Sequence, residues 1–158
     1  MFCIEINLFY SINIKRQNAL PVTVTIKKFF LKRNVFSCSK KIAFEKSAVV
    51  PGAEGTVHMK TDGNNNYTID LALIRLADPA SLTPSKAAYF VWMETAENGI
   101  KNIGQLKTSS GPFSKSLKSS LKTVTPFKPT SFFITGEEST SVQYPGALIV
   151  MKTNTFSY

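Results

Sequence analysis

The stretch TVHMKTDGNNNYTIDLALI, residues 56–74, carries the pattern that decides the fold of this chain. Every second residue from Tyr67 to Leu73 is large and apolar or aromatic, and a period of two is typical of a β-strand with one buried face. Just before it, DGNNN at 62–66 is a strong turn signal, because glycine and asparagine tolerate positive φ. The sequence therefore predicts a β-hairpin whose strands are 56–61 and 67–74.

Further strands are predicted along the rest of the chain, at 88–94, 100–107, 131–135 and 147–153. The first of these, AYFVWME, is apolar on both faces, as in a central strand of a sandwich. The segment 113–122 fits either a lysine-faced strand or an amphipathic helix, and the Thr-Val-Thr-Pro that follows favours the strand. About seven strands with closely spaced turns predict an all-β fold, an antiparallel immunoglobulin-like β-sandwich.

The composition indicates one globular domain. The chain has 158 residues, of which 43% are hydrophobic, and it includes twelve Phe, five Tyr and one Trp. That content is sufficient for a packed core, and it excludes an intrinsically disordered chain, which has few aromatic residues. The sequence has no uninterrupted apolar run near the ~20 residues that a membrane-spanning helix requires.

Positive charge is concentrated in residues 1–40, which form a poorly organised extension before a β-sandwich domain at 41–158. The extension has seven basic residues and one acidic residue, hence +6, whereas 41–158 has twelve basic and nine acidic residues, hence +3. Because the domain itself is nearly balanced, no nucleic-acid partner is expected. Three interpretations of the extension stay open: an accessory strand or tail, a mis-assigned start, and a degraded export signal.

The end of this extension contains a candidate lipidation site. Val35-Phe36-Ser37-Cys38 has the apolar-x-small-Cys form of a bacterial lipoprotein processing site, so Cys38 is a candidate lipid anchor. Lys27 and Lys28 would supply its basic flank, but Lys32 and Arg33 interrupt the expected apolar stretch. An ordinary unpaired thiol is the alternative for Cys38, and no disulfide framework is predicted.

The chemistry-bearing residues do not form a recognisable site. His58, on the strand 56–61, is predicted to face solvent. The loop 62–66 resembles the start of a calcium-binding loop, but Tyr67 and Leu73 stand where that loop needs glycine and glutamate. Four glutamates near turns are interpreted as solvated charges rather than an opposed catalytic pair: Glu94, Glu97, Glu137 and Glu138. No catalytic residue, metal site or cofactor is predicted, and we expect no enzyme activity.

Residues 88–152 resemble the C-terminal domain of anti-sigma-K factors. In the first block of that family's pattern, an aromatic-x-x-Trp strand is followed by a glycine turn and a strand that ends Leu-Gly-x-Leu. In the second block, an aromatic strand ends Thr-x-Glu and is followed by a Pro-Gly loop and a final apolar strand. The matching positions here are Tyr89, Trp92, Gly99, Gly104, Leu106, Thr135, Glu137, Pro145 and Gly146. Their expected roles are structural: Trp92 as a core anchor, the glycines at turns, and Pro145 as a stiffener of the last loop.

The resemblance implies an extracytoplasmic sandwich in a bacterial envelope, periplasmic or on the outer surface. Full-length members also have a sigma-binding helical region and one membrane-spanning helix. This sequence shows neither, so a sigma factor is not the expected partner. The expectation is a non-catalytic binding or sensor domain with a protein or envelope partner. The alternative is a cytoplasmic structural or interaction protein with a basic N-terminal arm.

Overall fold

The protein is a sandwich of two antiparallel sheets, as seen in a computed structural model that describes residues 39–109 and 117–158. The strands in these residues are β1 (Ser39–Ala43), β2 (Glu54–Thr61), β3 (Tyr67–Ile74), β4 (Ala88–Thr95), β5 (Gly99–Gln105), β6 (Lys107–Ser109), β7 (Lys118–Thr125), β8 (Pro129–Glu137) and β9 (Ile149–Lys152). The first sheet has the order β1-β2-β3-β7-β6 and the second the order β5-β4-β8-β9. The prediction of an all-β antiparallel sandwich is confirmed, with more strands than the seven expected.

The predicted hairpin is the pair β2–β3, which closes with Thr61 opposite Tyr67. Its turn is held by the Asp62 carboxylate, whose Oδ1 accepts hydrogen bonds from the backbone N of Asn64 at 2.8 Å and of Asn66 at 2.9 Å. These bonds, foremost the one from Asn66, lower the pKa of Asp62 below its ordinary value. Asn65 takes the positive φ of 62° that the turn needs, as the turn signal predicted.

Strand β4 lies inside the second sheet, between β5 and β8, and buries both of its faces. Tyr89, Val91 and Met93 point into the main core between the sheets. Phe90 and Trp92 point the other way and belong to a second, smaller cluster on the outer face of that sheet. The doubly apolar pattern of this strand is explained by the second cluster.

Contacts join the two sheets at both sides of the sandwich. After β1, Phe44 forms an isolated bridge with Thr153, which directly follows β9 of the second sheet. On the other side, β5 continues through Leu106, whose backbone N donates to the Tyr89 carbonyl at 2.9 Å, and the chain then enters β6 of the first sheet. The single strand predicted at 100–107 is therefore two strands, with the crossing at Leu106.

Several boundaries differ from the predictions. Strand β1 begins at Ser39, two residues before the predicted start of the domain, and β8 extends two residues beyond 131–135 on each side. Part of the ambiguous segment 113–122 forms the start of strand β7 at Lys118. The remainder of that segment before Leu117, and residues 1–38 with Cys38, lie outside the described residues. No helix within the described residues has the length and hydropathy needed to cross a membrane.

Candidate binding groove

A chain of hydrogen bonds joins three segments on the outer face of the four-stranded sheet. Trp92 Nε1 donates to Thr135 Oγ1 at 2.7 Å, and Thr135 Oγ1 in turn donates to Glu137 Oε1. The backbone N of Gly146 donates to the same carboxylate oxygen at 2.8 Å. Four residues predicted from the family resemblance thus meet, although they lie up to 54 positions apart in the sequence (92 to 146).

Strand register places these side chains on one face. In the β4–β8 ladder Ala88 lies opposite Glu137, Phe90 opposite Thr135, and Trp92 opposite Phe133. Since alternate residues of paired strands point to the same side, all of these side chains project outward from the sheet. The Trp92 ring stacks on Phe133 with centroids 6.4 Å apart.

The loop between β8 and β9, residues 138–148, covers this outer cluster. Val142 packs against the cluster, and Asn102 Nδ2 of β5 donates to the Val142 carbonyl at 3.3 Å. Trp92 is only 1% exposed, so the prediction that it is buried is confirmed. It anchors the cluster beneath the loop, and the main core lies on the opposite face of its strand.

Glu137 is buried, which corrects the expectation that it is a solvated charge near a turn. Its exposed fraction is 6%, because the loop folds back and sets Gly146 over the carboxylate. Hydrogen bonds from the Thr135 hydroxyl and the Gly146 amide offset the loss of solvation of this buried group. A Cβ on Gly146 would stand 2.6 Å from Glu137 Oε2, so glycine at this position permits a close approach of the backbone to the carboxylate.

An open groove of about 520 Å³ runs beside this network. Gly136 and Glu137 of β8 line it, together with three apolar side chains: Pro84, Val142 and Leu148. Lys86 also lines the groove, with its side chain only 10% exposed, and its Nζ bonds to Glu138 Oε1 at 3.0 Å. The groove thus combines apolar walls with a buried carboxylate and an ion pair.

The remaining motif residues have other roles. Gly99 adopts φ of 64° in the β4–β5 turn, and Gly104 adopts φ of 137°, where a Cβ would stand 2.9 Å from Leu121 Cδ1 of β7. Leu106 is buried at the crossing between the sheets. Pro145 is half-buried beside Gly146 in the loop. The predicted turn role thus fits Gly99, whereas Gly104 and Gly146 are sites of close packing.

Tyr89 lies in the main core, 1% exposed, and its hydroxyl has no hydrogen-bond partner among the described residues. Burial, with a smaller contribution from the Asp78 charge, raises the pKa of Tyr89 to about 12. The hydroxyl is thus kept neutral, in an environment that does not compensate its polarity.

The other chemistry-bearing residues are dispersed. His58 is exposed on β2, as predicted, and lies opposite Asp70. Glu94 accepts a hydrogen bond from Ser131 Oγ at 2.5 Å. It lies six residues along β4 from Ala88, the partner of Glu137, a separation of ~20 Å along a strand. Over residues 39–109 and 117–158, no three His, Cys, Asp or Glu residues form a group that could hold a metal ion.

The sequence analysis did not predict Lys86 as a groove residue, and it did not predict that Glu137, a motif residue, is buried. Lys86 follows a proline-rich loop and has no pattern of its own. The burial of Glu137 had a signal, because positions 131, 133, 135 and 137 of β8 share the face that holds Phe133. That parity places Glu137 on the outer face, but the loop that covers it is visible only in the structure.

Comparison of the chain with models of known protein families, with curated proteins and with solved structures gave no match.

Proposed function

We propose that this chain is a non-catalytic, extracytoplasmic binding or sensor domain that is similar to the C-terminal domain of anti-sigma-K factors and associates with a bacterial envelope. The observation that carries the proposal is the network of Trp92, Thr135, Glu137 and Gly146. Two separate blocks of the family-like motif supply it, and together they hold the 138–148 loop as one side of an open groove.

The groove suits a partner that has both apolar and polar groups. Binding sites are typically concave and mostly apolar, with a few placed polar groups that set orientation. Here Val142 and Leu148 supply apolar surface, while Lys86 and Glu137 supply fixed polar groups. A partner in the groove would contact the loop directly, and the hydrogen bond to Gly146 connects that loop to the sheet. This connection supports a sensing role.

Site-specific cross-linking in the native cells tests the groove as the binding site. A photoreactive residue at Ala147, which is exposed and lines the groove, should give a discrete cross-linked product. The matched control is the same residue at Ile100, which is 48% exposed and pairs with Glu94 at the end of β4 far from the groove. Equal products from both positions, or none from Ala147, would count against the groove.

Fractionation of those cells, followed by mass spectrometry of the mature protein, tests the location. An acylated N-terminus at Cys38 in the envelope fraction is the expected result. It would identify residues 1–37 as an export signal. An intact Met1 in the soluble cytoplasmic fraction would overturn the envelope assignment. It would favour the second candidate, an intracellular interaction protein, which the +6 charge of residues 1–40 supports.

A further inference from the structure

The outer face of the five-stranded sheet carries a concentration of lysines. We use the name cationic face for the exposed lysines that project from it: Lys41, Lys60, Lys107, Lys118 and Lys122. Strand register sets their positions, with Lys41 opposite His58 of β2, Lys122 opposite Asp70 of β3, and Lys107 opposite Ser120 of β7.

Acidic residues offset little of this charge. Asp70 lies between His58 and Lys122 in one row across the sheet. Glu54 is the other acidic residue of these strands, and it forms an ion pair with Arg75. None of the five lysines has an ion-pair partner among the described residues, where the pairs formed involve Arg75, Lys86 and Lys152. The cationic face therefore has a net charge of about +4 when His58 is neutral.

The lysines of the cationic face form two groups, one on each side of β3. Lys41 and Lys60 lie on β1 and β2, the other three lie on β6 and β7, and β3 separates the two groups. At ~4.8 Å per strand, β1 and β6 are ~19 Å apart across the sheet. A single row of lysines would match a linear polyanion. Here the lysines are spread both along and across the strands, and this arrangement matches a planar anionic surface.

The residues between the lysines suit an interface of that kind. They are small or hydroxyl-bearing, as at Ala43, Thr68, Ala72 and Ser120, and exposed apolar side chains stand among them. Val124 is 61% exposed and Ile74 is 36% exposed. Lysine amines attract the headgroups of an anionic leaflet, and apolar side chains add contacts at the headgroup level.

We propose that the cationic face docks the protein on the surface of an anionic lipid bilayer. This inference goes beyond the proposed function and is independent of it. Because the groove is lined by residues of β8, of the 138–148 loop and of the loop before β4, and by none of the cationic face, docking through the cationic face leaves the groove open to its partner.

Co-sedimentation of the full chain with lipid vesicles tests the proposal. The protein should bind vesicles of equimolar phosphatidylglycerol and phosphatidylcholine, bind pure phosphatidylcholine far less, and lose affinity as salt is added. The variant K60Q/K118Q/K122Q should lose affinity by about fivefold for each lysine, on the order of a hundredfold in all.

The matched control is K46Q/K128Q/K152Q, which removes three exposed lysines that lie in no strand of the five-stranded sheet. Its net charge change is the same, so a much smaller loss of affinity is expected. Equal losses of affinity in the two variants would overturn the proposal. Wild-type affinity in both variants would also overturn it, because residues 1–40 would then account for the binding to vesicles. Binding to linear polyphosphate without binding to vesicles would also overturn it.

Discussion

At the residue scale, Trp92 connects hydrophobic packing to the groove. Its ring stacks on Phe133, and its Nε1 donates to Thr135. Trp92→Ala should lower the free energy of unfolding by roughly 3–5 kcal/mol, because it removes a large buried ring and leaves a cavity. Urea denaturation measures the change. Tyr144→Ala is the control, since that ring is 82% exposed and should be nearly neutral. A small effect of Trp92→Ala would contradict its placement.

At Tyr89 we expect a substitution to stabilise the fold, in contrast to Trp92→Ala. Its hydroxyl is buried without a partner among the described residues, so Tyr89→Phe should raise the free energy of unfolding by about 1 kcal/mol. A loss of stability would indicate that the hydroxyl makes a bond in solution. The result would then assign it a partner such as an internal water.

The same residue predicts a pH dependence. Because the pKa of Tyr89 is raised to about 12 in the fold and is near 10 in an unfolded chain, the unfolded state loses its proton first. Stability should therefore fall as the pH rises from about 10 to 12, and it should fall less steeply in Tyr89→Phe. Denaturation at several alkaline pH values tests this, with Tyr144→Phe as the control. Identical pH profiles for the wild type and Tyr89→Phe would refute it.

At the element scale, the loop 138–148 is fixed to the sheet by the bond from Gly146 to Glu137. Gly146→Ala should displace the loop, because its Cβ would meet Glu137 Oε2 at 2.6 Å and moving that carboxylate would break the bond. We expect a loss of roughly 1–3 kcal/mol in unfolding free energy and faster amide hydrogen exchange in the loop.

Gly52→Ala is the matched control, because nothing lies within 4 Å of a Cβ at that position. It should leave loop exchange unchanged. Unaltered exchange in Gly146→Ala would mean that the loop is held by Val142 and Asn102 rather than by the carboxylate.

Local patterns predicted the elements better than their arrangement. The alternation from Tyr67 to Leu73 and the turn at 62–66 were enough to give the β2–β3 hairpin, because register and turn chemistry act between neighbours. The crossing at Leu106 and the burial of Glu137 depend on contacts with Tyr89 and Gly146, which are distant in sequence. A periodic sequence pattern predicts neither the crossing between the sheets nor the burial of this glutamate. For the same reason the motif residues were predicted individually, while their meeting at the groove was not.

At the scale of the whole molecule, the sandwich has contacts that run across both of its open sides. Phe44 bridges Thr153 on one side, and Leu106 bonds to Tyr89 on the other. Residues 39–158 alone should therefore unfold in one cooperative transition, with coincident fluorescence and circular dichroism curves. A fragment 46–158, which lacks β1 and the Phe44 bridge, should be less stable. A molten 39–158 fragment would show that the N-terminal extension is part of the fold.

The bond from Trp92 to Thr135 also has a spectroscopic consequence. Trp92 is the single tryptophan in the 158 residues, so its emission is not mixed with that of another indole. Its ring is covered by the loop, and three successive hydrogen bonds connect its N–H to the backbone of Gly146. We expect that a displacement of the loop away from this ring changes the polarity around the indole. The protein thus contains its own fluorescent reporter of events at the groove.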